Sequence, residues 1–499
     1  MATARHELSA PPAPSLPPAV AHERPGGPVT RDSTAVNRDP DPRRWAALAL
    51  LAVAQFVVVL DASIMNIALP AIGRELQVGT GTLFWVINAY VLAFGGLLLL
   101  GGRLADLVGR RLFFMLGLLI FAAASFAGGL AVSAEQLVAA RALQGLGAAA
   151  LAPAALSIMI ALFPAGPERS KALGIWGAVA GSGGVAGVLL GGVLTSFLSW
   201  EWVLFVNVPV AAVAALLAPR LFAESRAEGG DRRIDVVGAF TVTAGTVAGV
   251  YALVQAETSG WQSVQTLGLL LLSAALIATF AIVQARSAMP LLPPVLFRSR
   301  SVVAANAAMV ALSAAMFGLF FILSLYLQMV LGYSALLAGV SQLPLAGALV
   351  LVAAAAGTWT ERLGARPVLL TGLGMFAAGL AWFSRLPVDS TFLVHVLGPS
   401  LLVGTGLALA FVAVTIAAVT DVAEHHYGLA SGLVSTSQQI GGALGLAVLT
   451  AVAASRTHAA GTSIAALNEG FQAALLVAAG LALLSLALAA ALMPRAPRT

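Results

Sequence analysis

The chain has 499 residues, of which 60% are hydrophobic and 9% are charged, and it carries a formal net charge of +5 and no cysteine. A soluble domain carries about 25% charged residues, so this composition excludes a protein whose whole surface faces water and predicts one embedded in lipid. The lack of cysteine excludes a disulfide framework and a Cys-ligated metal site. We attribute the excess of basic residues to membrane topology, and we expect neither a metal nor a nucleic-acid partner.

Residues 1–42 precede the first apolar segment and are rich in proline, alanine and charged residues. They show no apolar periodicity, so we predict a disordered cytoplasmic tail. Arg43 and Arg44 stand directly before the apolar run. That run is too long for the apolar core of an export signal and no signal peptide precedes it, so it is predicted to remain as a membrane anchor.

The rest of the chain divides into apolar segments of membrane-spanning length. A transmembrane helix needs about 20 apolar residues to cross roughly 30 Å of hydrocarbon. Fourteen segments meet this condition, and an even number places both termini on the same side of the membrane. They are 45–69, 82–102, 112–131, 135–162, 171–194, 203–221, 236–256, 266–285, 302–330, 335–356, 368–386, 391–418, 428–454 and 471–493.

The basic residues divide unevenly between the two sides of this predicted membrane domain. The tail and every second loop hold 22 of the 26 Lys and Arg residues, and Arg141 lies inside a span. The other loops hold only Arg74, Arg385 and Arg456. By the positive-inside rule both termini are cytoplasmic. We predict a multi-pass protein of a bacterial cytoplasmic (inner) membrane.

Two loops repeat one pattern of glycines, an acid and arginines at an offset of 255 residues. They are residues 102–111 and 357–366. Both follow an even number of spans, so the repeat is parallel, as in transporters built from two six-span bundles. We predict an N-terminal bundle over 43–221, a linker with two additional spans over 222–300, and a C-terminal bundle over 301–494.

Four segments resemble motifs of the major facilitator superfamily, in particular its fourteen-span drug:proton antiporters. Residues 102–111 resemble its cytoplasmic loop motif, 60–70 its first-span motif, and 141–147 the fourth-span motif associated with proton coupling. Residues 181–192 resemble the fifth-span antiporter motif, with Val188 where the family usually has proline. The resemblance covers nearly the whole chain after the tail. It implies an all-α polytopic fold of fourteen transmembrane helices and proton-driven efflux of drugs or antibiotics by alternating access.

Asp61 is the only acid well inside a predicted span. A carboxylate in hydrocarbon costs several kcal/mol, so such a residue is a functional candidate that should face the bundle or a wet cavity. Asp61 lies roughly 13 Å, and Arg141 roughly 9 Å, below the same surface, so the two are predicted to pair. Burial favours the neutral carboxyl and the guanidinium favours the ionised one. We predict that this pair couples proton movement; a static ion pair is the alternative.

The fifth span carries a row of glycines at helical spacing: Gly177, Gly181, Gly184, Gly187 and Gly191. Their intervals of 4, 3, 3 and 4 residues place them on one helix face. Small residues let another helix approach closely. We predict that this face is the sliding surface between the two bundles; ordinary tight packing is the alternative.

The loop before the third span contains Gly102, Asp106, Gly109, Arg110 and Arg111. An acid near a helix N-terminus is stabilised by the helix dipole, and arginines can bind that acid. The family resemblance implies a conformational latch at these residues, and control of topology alone is the alternative.

The ninth predicted span carries Asn306, Ser313, Phe317 and Phe320 on one face. A mixed polar and aromatic lining suits amphipathic organic ligands. We predict that these residues line a substrate cavity, with a packed core stripe as the alternative. His395, near the outer end of a later span, is predicted to be an interfacial residue and not a proton relay.

Three classes of function remain: a secondary exporter, an ATP-driven pump or other membrane enzyme, and a membrane sensor without transport. A P-loop needs Gly-Lys before Ser or Thr, and the only lysine, Lys171, follows Ser170. Metalloenzyme and serine-nucleophile signatures and a soluble output domain are also missing from the sequence. We therefore predict a non-enzymatic exporter without a cofactor, with a proton symporter as the nearest alternative. Its partners would be protons, lipid and a small organic substrate.

Overall fold

A computed structural model describes residues 43–163, 167–225, 235–260, 262–287, 290, 294–420, 422 and 427–494. Within these ranges every regular element is a helix. A helix closes its backbone hydrogen bonds within one segment, which hydrocarbon requires because it offers no alternative partner. The prediction of an all-α polytopic protein is confirmed. The predicted tail, residues 1–42, lies outside the described residues.

In chain order the helices form two sets, which we call the first and the second half, with a pair between them. The first half contains α1 (Arg44–Glu75), α2 (Thr80–Val108), α3 (Arg110–Gly129), α4 (Ala134–Leu162), α5 (Pro167–Phe197), α6 (Trp202–Phe205) and α7 (Asn207–Leu221). The pair is α8 (Val236–Ser259) and α9 (Val264–Arg286). The second half contains α10 (Arg300–Leu325), α11 (Ala335–Leu363), α12 (Ala365–Phe383), α13 (Leu397–Thr420), α14 (Tyr427–Ala460) and α15 (Ile464–Leu492). Short π-helical turns extend α10 to Val330 and precede α13 from Phe392.

Serine side chains set the beginnings of five of these helices. Ser133, Ser263, Ser299, Ser334 and Ser463 each accept a hydrogen bond from the backbone N–H three residues later. An N-cap of this kind satisfies one of the backbone donors that a helix leaves free at its start, and it contributes about 1 kcal/mol. The same local chemistry therefore sets the starts of α4, α9, α10, α11 and α15.

Twelve helices within the described residues are long and apolar enough to cross a membrane. Two of the fourteen predicted spans, 171–194 and 236–256, fall in α5 and α8. In the described part of these helices the apolar stretches are shorter, Ser182–Phe197 and Val237–Leu253. The whole helices have 31 and 24 residues, about 46 and 36 Å at 1.5 Å per residue. The count of fourteen spans stays a prediction.

The sequence repeat is also a repeat of backbone conformation. A single glycine separates α2 from α3 and α11 from α12, and both glycines have positive φ: +130° at Gly109 and +88° at Gly364. Only glycine adopts this region without steric cost. The matching glycines in the two loops thus have the same physical cause.

Close glycine contacts repeat in the same way. A Cβ added at Gly117 would lie 3.0 Å from the carbonyl oxygen of Gly147, and one added at Gly372 would lie 2.8 Å from that of Gly406. These pairs bring α3 against α4 and α12 against α13. Gly117 and Gly372 are again 255 positions apart, so the two halves use equivalent glycines for equivalent helix contacts.

The two halves meet through α5 against α11 and through α2 against α14, and α8 packs on both α2 and α14. At the end where α1 turns into α2, hydrogen bonds join the halves, and we call this the sealed end. Ser324 Oγ donates to Asn66 O (2.6 Å), Gln328 Nε2 donates to Ile67 O (3.1 Å), and Leu336 N donates to Ser196 Oγ (3.0 Å).

Replacing Gly372 by alanine should destabilise the second half by about 1–3 kcal/mol, because the new methyl group would meet backbone atoms that cannot move independently. The added Cβ would lie 2.5 Å from Ala410 N. Gly374→Ala on the same helix is the matched control, since its Cβ would meet only Leu486 Cδ1 at 3.7 Å. Thermal unfolding of the purified variants in detergent measures both, and equal midpoints would contradict the close contact.

Candidate functional site

The Asp61 carboxylate lies on α1, is 0% exposed, and accepts three hydrogen bonds. Arg141 Nη1 donates to its Oδ2 at 2.6 Å. Gln144 Nε2 and Asn207 Nδ2 both donate to its Oδ1 at 2.7 Å. The structure therefore brings Asp61 and Arg141 together, as their similar predicted depths require. Their role in proton coupling stays a prediction.

Arg141 is held by a second set of contacts. Its side chain is 1% exposed, its Nε donates to Val86 O at 3.1 Å, and its Nη1 donates to Gln144 Oε1 at 2.5 Å. The guanidinium carbon lies 4.3 Å from the centroid of the Tyr90 ring, within the range of a cation–π interaction. Arg141 and Gln144 are three residues apart on α4, which places them on one helix face.

A glycine allows α2 to approach this site. A Cβ at Gly145 would lie 2.4 Å from Tyr90 O, so no larger residue fits between α4 and α2 here. The close approach brings the Tyr90 ring and the Val86 carbonyl within reach of Arg141. This explains why a glycine follows Gln144 in the fourth-span motif.

The donor set indicates the charge state that this geometry stabilises. All three contacts to Asp61 come from N–H groups, and an ionised carboxylate is an acceptor only. Bonds to the charged form stabilise that form, and they offset the several kcal/mol that desolvation of each buried ion costs. The described arrangement is that of an ionised Asp61 paired with Arg141.

Two members of this site, Gln144 and Asn207, were not predicted to have a role. Both are fully buried. The sequence contained a usable signal for Gln144, since it lies one helical turn after Arg141. Asn207 stands at the start of α7, and nothing in sequence spacing indicated that α7 begins beside Asp61.

The glycine face of α5 packs inside the first half. A Cβ at Gly187 would lie 2.8 Å from Leu60 O, and one at Gly191 would lie 3.0 Å from Ile64 O, both on α1. For these residues the predicted sliding surface between the bundles is wrong, and tight packing within one bundle is correct. Gly184 faces the same helix, with Ser63 Oγ at 3.7 Å. Gly177 and Gly181 lie outside the residues whose surroundings are described.

The surface of α5 that meets the second half is one residue further along. A Cβ at Gly339 on α11 would lie 2.6 Å from Val188 O, and one at Gly192 would lie 2.9 Å from Ala335 O. Val188, Ala335 and Ile67 form a small apolar cluster there. Val188, the departure from the family pattern, therefore lies in the contact between the halves.

The N-terminus of α3 binds a carboxylate from the segment that follows α7. Glu224 accepts hydrogen bonds from Arg111 N and Leu112 N, both at 3.0 Å, and a Cβ at Gly109 would lie 2.8 Å from its carboxylate. The side chain of Asp106 lies outside the described side chains, so its predicted contact with Arg110 and Arg111 stays a prediction. The described acid at this helix start is Glu224, which had no predicted role.

The residues predicted to line a substrate cavity lie on α10 at different depths. Asn306 and Ser313 are buried, and Asn306 Oδ1 accepts a hydrogen bond from Ser437 Oγ of α14 at 2.8 Å. Phe317 and Phe320 are partly exposed. Phe317 packs against Gly442 of α14. The hydrogen bond between Asn306 and Ser437 therefore joins α10 to α14. The aromatic rings of Phe317 and Phe320 lie further along α10.

No group of three or more His, Cys, Asp or Glu side chains is placed to hold a metal ion among the described residues.

His395 is partly exposed, and its Nδ1 accepts a hydrogen bond from Thr391 N at 3.1 Å.

Known proteins resemble this chain over most of its length. The family model of the Major Facilitator Superfamily matches residues 51–446 and 356–499. Puromycin resistance protein pur8 of Streptomyces alboniger is 43% identical over 468 residues, which is 91% of this chain and 92% of that protein. Cephamycin export protein CmcT of Amycolatopsis lactamdurans is 41% identical over 422 residues, 84% of this chain and 87% of that protein.

A solved structure matches the fold. The crystal structure of the POT family transporter PepTSo superposes with a TM-score of 0.64 and 15% identity, over 88% of this chain and 97% of that chain. At this identity the likeness concerns the helical arrangement alone.

Replacing Arg141 by glutamine should destabilise the protein by about 3–5 kcal/mol, because a buried carboxylate would lose its charged partner. The double variant Asp61→Asn/Arg141→Gln should recover part of this loss, since neither charge remains. Thermal unfolding at alkaline pH measures both variants. Acidification should reduce the loss of thermal stability in Arg141→Gln, because a neutral Asp61 carboxyl group does not need a charged partner. Equal stability of the single and double variants at alkaline pH would contradict an ionised pair.

Proposed function

The chain belongs to the major facilitator superfamily, and we propose that it exports small organic molecules, drugs or antibiotics, in exchange for protons. Two relatives that match most of its length are named for puromycin resistance and cephamycin export. Removal of a compound from the cell accounts for both names. The family and the relatives are transporters, so the chain is not expected to be an enzyme.

The buried Asp61 carboxylate is the observation that supports proton coupling. Ionisable residues inside a membrane domain are rare and mark ion pathways. The three N–H donors favour the ionised form, so any helix movement that withdraws them favours uptake of a proton. A group whose proton affinity differs between two conformations couples proton binding to the exchange between them.

The position of the sealed end determines from which side the substrate enters in the proposed cycle. With cytoplasmic termini, as the basic residues predict, the sealed end is the outer one and the substrate enters from the cytoplasm. Ionised Asp61 belongs to this conformation. In the outward-open conformation the substrate leaves and Asp61 takes up a proton from outside. The return step re-forms the bonds to Arg141, Gln144 and Asn207 and releases the proton to the cytoplasm.

The proposed topology is fourteen spans in a bacterial cytoplasmic membrane, with both termini cytoplasmic. It assigns residues 43–221 and 301–494 to the two bundles and α8 and α9 to the inserted pair. The lengths of α5 and α8 and the distribution of 22 of 26 basic residues support it. Lipid would then cover α9, most of whose large apolar side chains are exposed.

The remaining site residues enter the proposal with distinct roles. Asn306, Ser313, Phe317 and Phe320 would contribute to a cavity for a neutral or anionic substrate. Residues 102–111, which comprise the end of α2, Gly109 and the start of α3, would act as the conformational latch. Glu224 supports the latch proposal, since it ties the segment after α7 to the start of α3 through two backbone hydrogen bonds.

Asp61→Asn should abolish proton-coupled export, because asparagine has nearly the same shape but cannot ionise. The probe is puromycin, or whichever antibiotic the wild type protects against most strongly in an export-deficient host. Added to everted vesicles that hold a pH gradient, the probe should release protons with the wild type and not with Asp61→Asn. Glu469→Gln is the matched control: its ion pair with Arg456 is half exposed, and such pairs contribute about 0–1 kcal/mol. Proton release by Asp61→Asn at the wild-type rate would leave Asp61 with a structural role only.

Single cysteines test the topology, because the native chain has none. Arg31→Cys, Lys171→Cys and Arg498→Cys should resist an impermeant thiol reagent in intact cells and react after the cells are opened. Arg456→Cys, in a loop predicted to be external, is the positive control. Labelling of Lys171→Cys from outside would contradict cytoplasmic termini.

A further inference from the structure

A protonated Asp61 would need an acceptor that the described site does not present. The neutral carboxyl group carries one O–H donor. Its oxygens face only N–H groups of Arg141, Gln144 and Asn207 among the described residues. A buried donor that faces only donors is destabilising, because nothing replaces the hydrogen bond that it made to water. A proton can therefore remain on Asp61 while these groups surround it only if one neighbour changes from donor to acceptor.

Arg141 and Gln144 cannot make this change cheaply. A guanidinium has no acceptor atom. Gln144 is fixed at both ends of its amide: Oε1 accepts from Arg141 Nη1 at 2.5 Å, and Nε2 also donates to Ser125 Oγ at 2.8 Å. A reversed Gln144 amide would turn Nε2 toward the Arg141 guanidinium, donor against donor.

Asn207 is free to make the change. Its side chain is 0% exposed, its Nδ2 donates to Asp61, and its Oδ1 has no hydrogen-bond partner among the described residues. Rotation of the amide by about 180° exchanges Oδ1 and Nδ2, so Oδ1 can then accept from a protonated Asp61. No other hydrogen bond is lost, since the atom that turns away replaces one that was already unpaired.

We propose that Asn207 is a positioning residue that satisfies both protonation states of Asp61 by reversing its side-chain amide. Nδ2 donates to the carboxylate, and after reversal Oδ1 accepts from the neutral acid. The inference rests on the proposed proton coupling and adds a residue to it. In this mechanism Arg141 and Gln144 stabilise only the ionised form of Asp61, whereas Asn207 stabilises the ionised form through Nδ2 and the neutral form through Oδ1.

The charged and titratable surroundings of Asp61 are few. On the helices packed against α1, the nearest such groups are the Arg141 guanidinium of α4 and the Tyr90 phenol of α2. Glu135 and Glu201 come six residues before Arg141 and Asn207, respectively, about 9 Å along a helix. The other charged residues described on these helices lie near the helix ends: Arg44, Arg74, Glu75, Arg103, Glu168, Arg169, Lys171, Arg220, Arg300, Glu361 and Arg362.

The size of one pH shift separates the two roles that Asn207 can have. If Asn207 only donated to the carboxylate, its removal would make Asp61 easier to protonate, and the protonation midpoint would move toward alkaline pH by about one unit, a tenfold change. If it also accepts from the neutral acid, Asn207→Leu removes one hydrogen bond from each protonation state, and the two losses offset each other. The protonation midpoint of Asp61 should then stay close to the wild-type value.

Infrared difference spectroscopy of the purified full-length protein measures this midpoint without a substrate. The carboxylic C=O band is followed against pH, and the spectrum of Asp61→Asn identifies the part that belongs to Asp61. Asn207→Ala, which adds no bulk, repeats the test should Asn207→Leu not fold. Gln144→Met is the matched control, since it removes a residue that only donates to Asp61 and should shift the midpoint toward alkaline pH.

Each outcome decides a different question. A midpoint near the wild-type value in the Asn207 variants together with an alkaline shift in Gln144→Met supports the amide reversal. An alkaline shift in the Asn207 variants as large as that of Gln144→Met overturns it, even where Asp61 titrates and couples transport. If no titrating carboxylic band of the wild type disappears in Asp61→Asn, Asp61 does not change its protonation state. This result contradicts the proposed function itself, so it is distinguishable from a failure of the amide reversal.

Discussion

An ionised carboxylate inside a membrane domain must be compensated by its neighbours, and at Asp61 this requirement determines how four helices come together. The compensating groups come from α4 and α7, and the principal one, Arg141, needs the Val86 carbonyl of α2 to satisfy its own N–H groups. The ion pair therefore fixes α1, α2, α4 and α7 relative to one another. Its loss would remove the interaction that specifies their arrangement.

The sequence predicted the depth of groups in the membrane better than their direction around a helix. Counting residues from the span ends placed Asp61 and Arg141 at one level, and the structure pairs them. Depth alone did not identify Asn207, because its position depends on where α7 begins after the short helix α6. The same limit applies to Glu224, whose contact with α3 follows from the path of the chain after α7.

The glycines of α5 show that residue spacing does not identify the helix that packs against a given face. Their spacing correctly placed them on one face, since Gly184, Gly187 and Gly191 all face α1. Spacing defines a face but not the helix that occupies it, and two neighbours compete for α5. One helix position, from Gly187 to Val188, separates the face toward α1 from the face toward α11. The repeated glycines Gly109 and Gly364 are easier to explain from the sequence pattern, because the reason for them, a positive φ, is local.

The geometry of α1 connects the buried charge to the sealed end. Pro70 lies inside α1 and has no N–H, so the carbonyl of Asn66 lacks its usual helical donor. Ser324 Oγ of the second half supplies that donor at 2.6 Å. Asn66 comes only five residues after Asp61, about 8 Å along the helix. In the proposed mechanism, a displacement of α1 on protonation of Asp61 would therefore act on the same helix segment that holds the two halves together, and this would provide the mechanical link that an exchange of substrate for proton requires.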